Sequence, residues 1–171
     1  HGPDSLYNCI ERGWKFYAER DYLAGLFYWT GFDYRGEPNP MVFPATSSEF
    51  GILDYCGFPK DEAYYLKAWW TDEPVLHILP HWNLDGHEGE SVSVWVYSNC
   101  EEVQLTVNGK KLERKKMPAN GHLEWTATYQ PGSLKAVGYK AGKKVMETLI
   151  VTAGEPGKEV WTSVSVGDIM V

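Results

Sequence analysis

The spacing of apolar side chains divides the chain into a helical first part and a strand-rich second part. Apolar residues recur every three or four positions from Pro3 to Arg20, and again after Gly57-Phe58-Pro59, which is the pattern of two amphipathic helices. Between these helices, residues 23–29 form an almost continuous apolar run, typical of a strand covered on both faces. The first part is therefore predicted to run helix, strand, loop, helix.

The periodicity changes from helical to alternating after the polar stretch at 71–74, which ends in proline. Seven short strands follow, at residues 75–79, 91–98, 103–107, 110–115, 123–128, 133–140 and 144–151. Asn108-Gly109 joins the third strand to the fourth as a two-residue hairpin, because both residues tolerate the positive φ of a type I′ turn. Seven half-buried strands at regular spacing predict an immunoglobulin-like β-sandwich.

The predicted fold class is α+β. The order of elements in the first part fits the last unit of a (β/α)8 barrel, although one strand cannot close such a fold. We therefore divide the chain into residues 1–73, the C-terminal part of a barrel, residues 74–153, the sandwich, and residues 154–171, a linker or tail. Severed from other strands, residues 23–28 would expose an apolar face, so the incomplete barrel part is expected to self-associate or to be poorly ordered.

Composition limits the classes of partner. The chain has 171 residues, of which 43% are hydrophobic and 23% charged, as in a globular protein. Its formal net charge of -7 argues against a nucleic-acid partner, which needs a basic face. No run approaches the roughly 20 apolar residues of a membrane span. The chain has no initiator methionine and opens on a helix, so we expect it to be a piece of a longer protein.

Neither the cysteines nor the histidines form a recognisable metal or cofactor site. The cysteines lack the CxxC spacing of zinc sites and are interpreted as buried thiols. Three histidines lie four and six positions apart, a spacing that does not fix three ligands around one ion, and they are expected to be structural. The residues concerned are Cys9, Cys56 and Cys100, and His77, His81 and His87. No metal and no cofactor is predicted.

A cluster of aromatic and charged residues follows the apolar run. Trp29 stands where the predicted strand ends, and glycines and prolines break regular structure after it. Among them lie Asp33, Tyr34, Arg35 and Glu37, which offer a stacking surface and charged hydrogen-bond partners. Sugars stack their C–H faces on flat rings of this kind. Because the chemistry of β/α barrels lies at the carboxyl ends of the strands, the cluster is interpreted as the rim of a sugar-binding active site.

A family resemblance rests on motifs in both parts of the chain. The first part resembles the C-terminal end of the catalytic barrel in glycoside hydrolase family 2, in its bacterial β-galactosidase-like members, through FYWTGFDYRGEPNP and SSEFGILDYCGFPKDEAYYLKAWW. The second part resembles the immunoglobulin-like domain that follows that barrel, through LHILPHWN, VWVYSNCEEVQLTVNGKKL and PGSLKAVGYKAGKKV. The motifs together cover residues 1–153, and residues 154–171 show no such resemblance.

The resemblance implies that Trp29 forms part of the wall against a galactose-like sugar in the first subsite. Asp33, Tyr34, Arg35 and Glu37 would line the cleft and hydrogen-bond sugar hydroxyls. Two other interpretations stay open: Trp29 plugs the top of the barrel without touching a ligand, or an Arg–carboxylate pair holds the loop together. The implied partner is a β-galactoside-type glycan, with the choice between galactose and glucuronic acid open, and the implied location is periplasmic or secreted.

The catalytic groups of the family are expected outside this chain. Retaining glycosidases use two carboxyl groups about 5–5.5 Å apart. In family 2 the acid/base lies in an Asn-Glu motif, which this chain lacks, and the nucleophile lies on the strand before the one that ends in Trp29. Glu49 is expected to be a helix cap or a loop anchor, and Asp54, Asp61 and Glu62 to be loop or first-turn acids. No catalytic residue is assigned, and the chain alone is expected to be inactive.

A second hypothesis is a non-catalytic module that binds a glycan or another partner through exposed tryptophans of the sandwich. Trp95 distinguishes the two hypotheses, because it points away from the face that Val94 and Val96 share. An exposed Trp95 beside another ring favours the binding module, whereas a Trp95 under a helix favours a scaffold. Trp125 is predicted on a strand face with other apolar residues, and Trp82 as a wedge between the sandwich and the barrel part.

Overall fold

The computed structural model of the chain describes residues 8–36, residue 38 and residues 41–154. These residues contain two helices, α1 (Asn8–Ala18) and α2 (Asp61–Trp70), neither of which is long and apolar enough to cross a membrane. The strands that follow are β1 (Leu76–Leu79), β2 (Ser91–Ser98), β3 (Glu102–Val107), β4 (Lys110–Lys116), β5 (Leu123–Thr128), β6 (Ser133–Lys140) and β7 (Lys143–Val151). Each of the seven strands predicted for the second part is present, with ends within one residue of those expected.

The strands form two antiparallel sheets that pack face to face as a β-sandwich. One sheet has the order β1-β2-β5 and the other the order β4-β3-β6-β7. Along β5, Leu123, Trp125 and Ala127 are buried between exposed neighbours. In the adjacent β2, Val94 lies opposite Trp125 and Val96 lies opposite Leu123. These side chains belong to a single core shared by both sheets, which confirms the prediction for Trp125.

Asn108 and Gly109 form the turn between β3 and β4 as predicted. Their φ angles are 46° and 80°, the positive values that a type I′ turn requires. The Asn108 side chain also holds the connection between β5 and β6. Its Oδ1 accepts a hydrogen bond from the N–H of Ser133 at 2.6 Å, and its Nδ2 donates to the carbonyl of Gln130 at 3.2 Å. One residue therefore sets the conformation of one turn and fixes the neighbouring loop to it.

Helix α2, with α1 beside it, covers the outer face of the three-stranded sheet. Tyr65 and Leu66 of α2 are buried against Leu79 of β1 and against Trp95 and Tyr97 of β2. This cover explains why β2 is buried on both faces from residue 94 to 98, where alternation alone predicts one exposed face. Trp95 is only 6% exposed. It lies under a helix, the arrangement expected of a scaffold rather than of a glycan-binding surface.

The junction between α2 and β1 is held by hydrogen bonds to the end of β2. Oδ1 of Asn99 accepts from the N–H of Val75 at 3.0 Å, and its Nδ2 donates to the carbonyls of Glu73 and Thr71 at 2.7 and 3.3 Å. The hydroxyl of Ser98 donates to the carbonyl of Val75 at 2.6 Å. The polar stretch at 71–74 is therefore tied to the sandwich.

The prediction of a strand at residues 23–29 is wrong. These residues lie in neither sheet, and Phe27 is fully exposed. A strand needs a neighbour that satisfies its N–H and C=O groups, and the described part of the chain provides only isolated bridges nearby, such as Phe32 with Leu53. An apolar run without a pairing partner does not become a strand.

The prediction that Trp82 is a wedge between the two parts is also wrong. Trp82 is buried in the core of the sandwich, where its ring meets Tyr129 edge-on with centroids 5.0 Å apart. Its indole N–H donates to the carbonyl of Gln130 at 3.1 Å. Because the indole has a hydrogen-bond partner inside the sandwich, the large ring can be buried there at no polar cost.

The cysteines differ in burial. Cys100 is buried as predicted, but Cys56 is exposed, which contradicts the prediction of a buried thiol. Cys56 lies in a turn in which Oδ1 of Asp54 accepts from its N–H at 2.8 Å, and such turns lie at the surface. Cys9 lies outside the residues whose side chains are described.

Candidate functional site

A cleft of about 730 Å³ lies in the helical part of the chain. It is bordered by the first turns of both helices, by the end of the apolar run and by residues 47–59, which we call the cleft loop. Its volume falls within the roughly 300–1,000 Å³ of small-molecule sites. The side chains that matter most for its chemistry are Trp29, Asp33, Glu49, Phe50, Tyr55 and Lys60.

Trp29 lines this cleft with a largely open ring. Its side chain is 76% exposed. Tyr34 meets it edge-on, with ring centroids 6.2 Å apart, and Phe50 meets Tyr34 in the same way at 5.2 Å. Edge-to-face pairs of this kind are favourable arrangements of aromatic rings. Trp29 is therefore held in a row of three rings while most of its surface stays available to a ligand.

Asp33 holds the segments around the cleft together. Its Oδ1 accepts hydrogen bonds from Nζ of Lys60 at 2.7 Å and from the N–H of Gly51 at 2.8 Å, and its side chain is only 8% exposed. Nζ of Lys60 also donates to the carbonyl of Glu49 at 2.9 Å. An ion pair does hold this loop together, but it joins Asp33 to Lys60, whereas the sequence suggested an Arg–carboxylate pair.

Tyr34 and Arg35 are positioned through their backbones. The N–H of Tyr34 donates to Oγ of Ser48 at 2.8 Å, and its carbonyl accepts from the N–H of Ser48 at 2.9 Å. Arg35 forms a backbone bridge with Ser47, and its side chain is exposed. Among the described residues neither Tyr34 nor Arg35 lines the cleft, and Glu37 lies outside the described part. Of the five predicted binding residues, the structure brings Trp29 and Asp33 to the cleft.

Three further carboxylates line the cleft. Asp61 starts α2, and its Oδ1 lies 2.6 Å from Nε2 of His77 on β1, which connects the cleft to the sandwich. Glu62 follows it in the first turn, where the helix dipole favours a negative charge. Glu49 does not cap a helix, because the N-cap of α2 is Lys60, and it anchors the cleft loop through its carbonyl. Within the described residues, the Glu49 carboxylate itself has no hydrogen-bond or ion-pair partner.

Most residues that line the cleft were not predicted there, and the three that add aromatic rings and a cation are Phe50, Tyr55 and Lys60. All three belong to the cleft loop or to the residue after it, immediately before α2. These residues lie between the apolar run and α2, and the start of α2 was predicted correctly. That connection was the signal that assigns the cleft loop to the site. In the described residues, no three His, Cys, Asp or Glu side chains are grouped so that they could hold a metal ion.

A buried charge network fixes the cleft-bearing part to the sandwich. Oε2 of Glu11 on α1 lies 2.6 Å from Nδ1 of His122, and Lys15 donates to the other carboxylate oxygen. The ring of His122 stacks on Trp95 with centroids 3.8 Å apart. Burial raises the pKa of the Glu11 carboxyl, but the hydrogen bonds from His122 and Lys15 outweigh burial, and the pKa lies below its ordinary value of 4.5. The cleft is therefore built on a firmly docked helix.

Comparison with known proteins connects both parts of the chain to one family. The profile of a family described as a domain of unknown function (DUF4982) matches residues 89–146. The beta-galactosidase BoGH2A of Bacteroides ovatus is 44% identical over 154 residues, which cover 88% of this chain and 18% of that protein. A glycosyl hydrolase family 2 member from Bacteroides cellulosilyticus has a solved structure that matches with a TM-score of 0.75 and 31% identity, over 85% of this chain and 24% of that one. The chain belongs to glycoside hydrolase family 2.

A third relative is named as acting on a different sugar. The putative beta-glucuronidase of Formosa agariphila is 38% identical over 151 residues, which cover 85% of this chain and 15% of that protein. Matches of this extent include the helical part as well as the sandwich, because residues 74–153 are less than half of the chain. The family 2 chain spans less than a fifth of the length of the two curated relatives that it matches. The activities in their names belong to much longer proteins.

Proposed function

We propose that this chain is the C-terminal segment of a retaining, β-galactosidase-like glycoside hydrolase. In this proposal residues 1–73 complete a catalytic (β/α)8 barrel, and residues 74–153 are an immunoglobulin-like sandwich that supports it. Trp29 forms one wall of the subsite for the sugar that is hydrolysed. Asp33, with Lys60, braces that wall and does not itself contact the reacting atoms.

The observation that carries the proposal is the cleft at Trp29. In a β/α barrel, the carboxyl ends of the strands and the starts of the following helices form the catalytic face. The order along the chain supports the proposal, because the cleft is bordered by the end of the apolar run, which would be a strand only within a complete barrel, and by the first turn of α2. An open tryptophan beside carboxylates offers what a pyranose needs, a flat apolar surface and acceptors for its hydroxyls.

The catalytic carboxyl pair is proposed to come from outside this chain. A retaining glycosidase needs one ionised carboxylate that attacks and one protonated carboxyl that assists the leaving group. Two of the cleft carboxylates are engaged elsewhere, because Lys60 holds Asp33 and His77 contacts Asp61. Trp29 and its brace would therefore act only within the complete barrel.

A neutral galactoside is the proposed sugar, in preference to a glucuronide. The carboxylate of a glucuronide needs a cation in the site. Among the described residues that line the cleft, Lys60 is the cation, and it is already bound to Asp33 and to the carbonyl of Glu49. The remaining charged groups of this wall are acidic, so it repels an anionic sugar and accepts a neutral one.

Hydrolysis assays test the proposed function. The longer protein that contains this chain is expected to turn over an aryl β-galactoside faster than the matching β-glucuronide, and the chain alone neither. Trp29→Ala in the longer protein is expected to lower kcat/KM by roughly 10–100-fold, since it removes contact with the reacting sugar. Hydrolysis by the chain alone that Glu49→Gln abolishes would place the catalytic group inside this chain and contradict the proposal.

The isolated chain is also proposed to self-associate through its helical part. Phe27, Val42 and Phe43 are almost completely exposed, and large exposed apolar groups of this kind mark interaction surfaces. Sedimentation velocity is expected to show concentration-dependent association that Phe27→Ser weakens. A monomer at every concentration would exclude this contact.

A further inference from the structure

Positive and negative charges are distributed unevenly along the chain. Residues 101–152 carry nine lysines and arginines against five acidic residues, whereas residues 1–100 carry six against fifteen. All four strands of the sheet β4-β3-β6-β7 lie within residues 101–152. A chain with a formal net charge of -7 therefore contains one sheet with a surplus of positive charge.

The outer face of this sheet carries exposed side chains, whereas α2 covers that of the other sheet. Val103 and Leu105 of β3 are buried in the core, so the side chains that alternate with them point outward. The strand register places four outward side chains side by side in each of three rows. The first row holds Lys116, Glu102, Tyr139 and Lys144, the second Arg114, Gln104, Val137 and Glu147, and the third Lys111, Thr106, Lys135 and Leu149.

Four lysines stand at the two sides of this outer face. Lys111 and Lys116 lie on β4, and Lys135 and Lys144 lie on β6 and β7. Neighbouring strands are about 4.8 Å apart, so the two sides are about 10–14 Å apart. At about 3.4 Å per residue, Lys111 lies roughly 15 Å from Lys116 along β4. We call these four lysines, with the strip of side chains between them, the lysine face.

The lysines of this face are only partly neutralised by carboxylates. Glu147 lies between Lys135 and Lys144, at 2.8 and 2.6 Å from their ammonium groups. Within the described residues, Lys111 and Lys116 have no carboxylate partner. One carboxylate is therefore shared by two of the four lysines, and the other two keep their full charge.

The strip between the lysines is polar and close to neutral. Its carboxylate, Glu102, pairs with Arg114 at 2.5 Å, and the guanidinium carbon of Arg114 lies 3.7 Å from the centroid of the Tyr139 ring. Gln104 and Thr106 offer hydrogen-bond groups between the strands that carry the lysines. The free positive charge of the lysine face therefore lies at its sides.

We propose that the lysine face binds an extended acidic polysaccharide with one carboxylate per sugar, a polyuronate. The carboxylates contact the lysines, and the sugar hydroxyls lie over the polar strip between them. The wide spacing of the lysines suits the separated charges of a polyuronate better than the dense charges of a nucleic acid, about one per 1.7 Å of duplex. The face lies on the sandwich and outside the cleft, so it goes beyond the proposed glycosidase function and does not depend on it.

Isothermal titration of the 171-residue chain with polygalacturonate tests the lysine face. The affinity is expected to fall by roughly 10-fold between about 50 and 200 mM NaCl, because binding releases counterions. Lys111→Gln combined with Lys116→Gln is expected to lower the affinity by roughly 5–10-fold at low salt. Arg12→Gln combined with Lys67→Gln is the matched control. It removes two exposed charges from the helices and is expected to change the affinity by less than about twofold.

Each result decides for or against this face. Equal losses in the two double variants would overturn it, because the polymer would then respond only to the total charge of the chain. No saturable binding at low salt would overturn it as well. Dextran, a neutral polysaccharide, is expected not to bind, and duplex DNA is expected to bind more weakly than polygalacturonate. Equal or tighter binding of either polymer would contradict the choice of a polyuronate. None of these measurements involves hydrolysis, so their failure leaves the proposed glycosidase function standing.

Discussion

The ammonium group of Lys60 lies 2.7 Å from Oδ1 of Asp33 and connects the start of α2 to the segment that follows Trp29. The same ammonium donates to the carbonyl of Glu49, so a single side chain joins all three segments. The Asp33 side chain is buried, whereas that of Lys60 is partly exposed. Removing the lysine would therefore leave a buried carboxylate without its cation, which is the costly way to break an ion pair.

Lys60→Met keeps most of the apolar side chain and removes the charge. The free energy of unfolding is expected to fall by about 1–3 kcal/mol, because Asp33 keeps only the N–H of Gly51 as a partner. Urea denaturation followed by tryptophan fluorescence measures the change. Lys67→Met is the matched control, since its partner Glu73 is on the surface, and it should cost less than about 0.5 kcal/mol. Equal costs for the two variants would show that the brace does not stabilise the fold.

The burial of Trp95 gives a second prediction. Trp95→Ala is expected to destabilise the chain by about 3–5 kcal/mol, because it empties the space between β2, α2 and the ring of His122. Tyr22→Ala, at an exposed aromatic residue, should change stability by less than about 0.5 kcal/mol. Thermal unfolding compares the variants. A Trp95→Ala protein as stable as the control would mean that the helix does not rest on this ring.

The strands of the sandwich could be predicted because the chain contains everything that determines them. Each strand pairs with another strand of the same chain, and residues such as Trp125 alternate about a core that both sheets share. Residues 23–29 have an equally clear apolar pattern, yet pairing partners decide whether such a run becomes a strand, and a pattern does not reveal partners. For the same reason, alternation along β2 could not show that α2 covers Trp95.

The candidate site was predictable where it follows from chain order and not where it depends on the path of a loop. Trp29 was located by its place at the end of the apolar run. The partner of Asp33 was not, because Lys60 lies 27 positions further along. The cleft loop also passes close to the backbone of Asp33, and this depends on Gly51. A Cβ atom at residue 51 would lie 2.3 Å from the backbone nitrogen of Asp33. Only glycine allows this contact without a shift of the backbone.

Asn108 gives a prediction that separates backbone conformation from hydrogen bonding. Asn108→Gly keeps the positive φ but loses the side-chain bonds to Ser133 and Gln130, and is expected to cost about 1–2 kcal/mol. Asn108→Ala loses the same bonds and must also hold a left-handed conformation, so it is expected to cost about 1 kcal/mol more. Urea denaturation of both variants measures the difference. Equal stability of the Ala and Gly variants would show that the turn relaxes from its type I′ form.

Glu11 connects the docking of α1 to pH. Because the pKa of its carboxyl in the folded chain is below 4.5, folding favours the ionised form, so its contribution is complete above that pH and is lost as the pH falls through the folded pKa. Glu11→Gln is expected to lower the free energy of unfolding by about 1–3 kcal/mol at neutral pH, and by less in acid. Glu147, which pairs with Lys135 and Lys144, remains in both proteins and cancels from the comparison. Urea denaturation between neutral and acidic pH measures the difference in free energy of unfolding between wild type and variant. A difference that stays constant over this range would mean that the Glu11 carboxylate does not hold the helix to the sandwich.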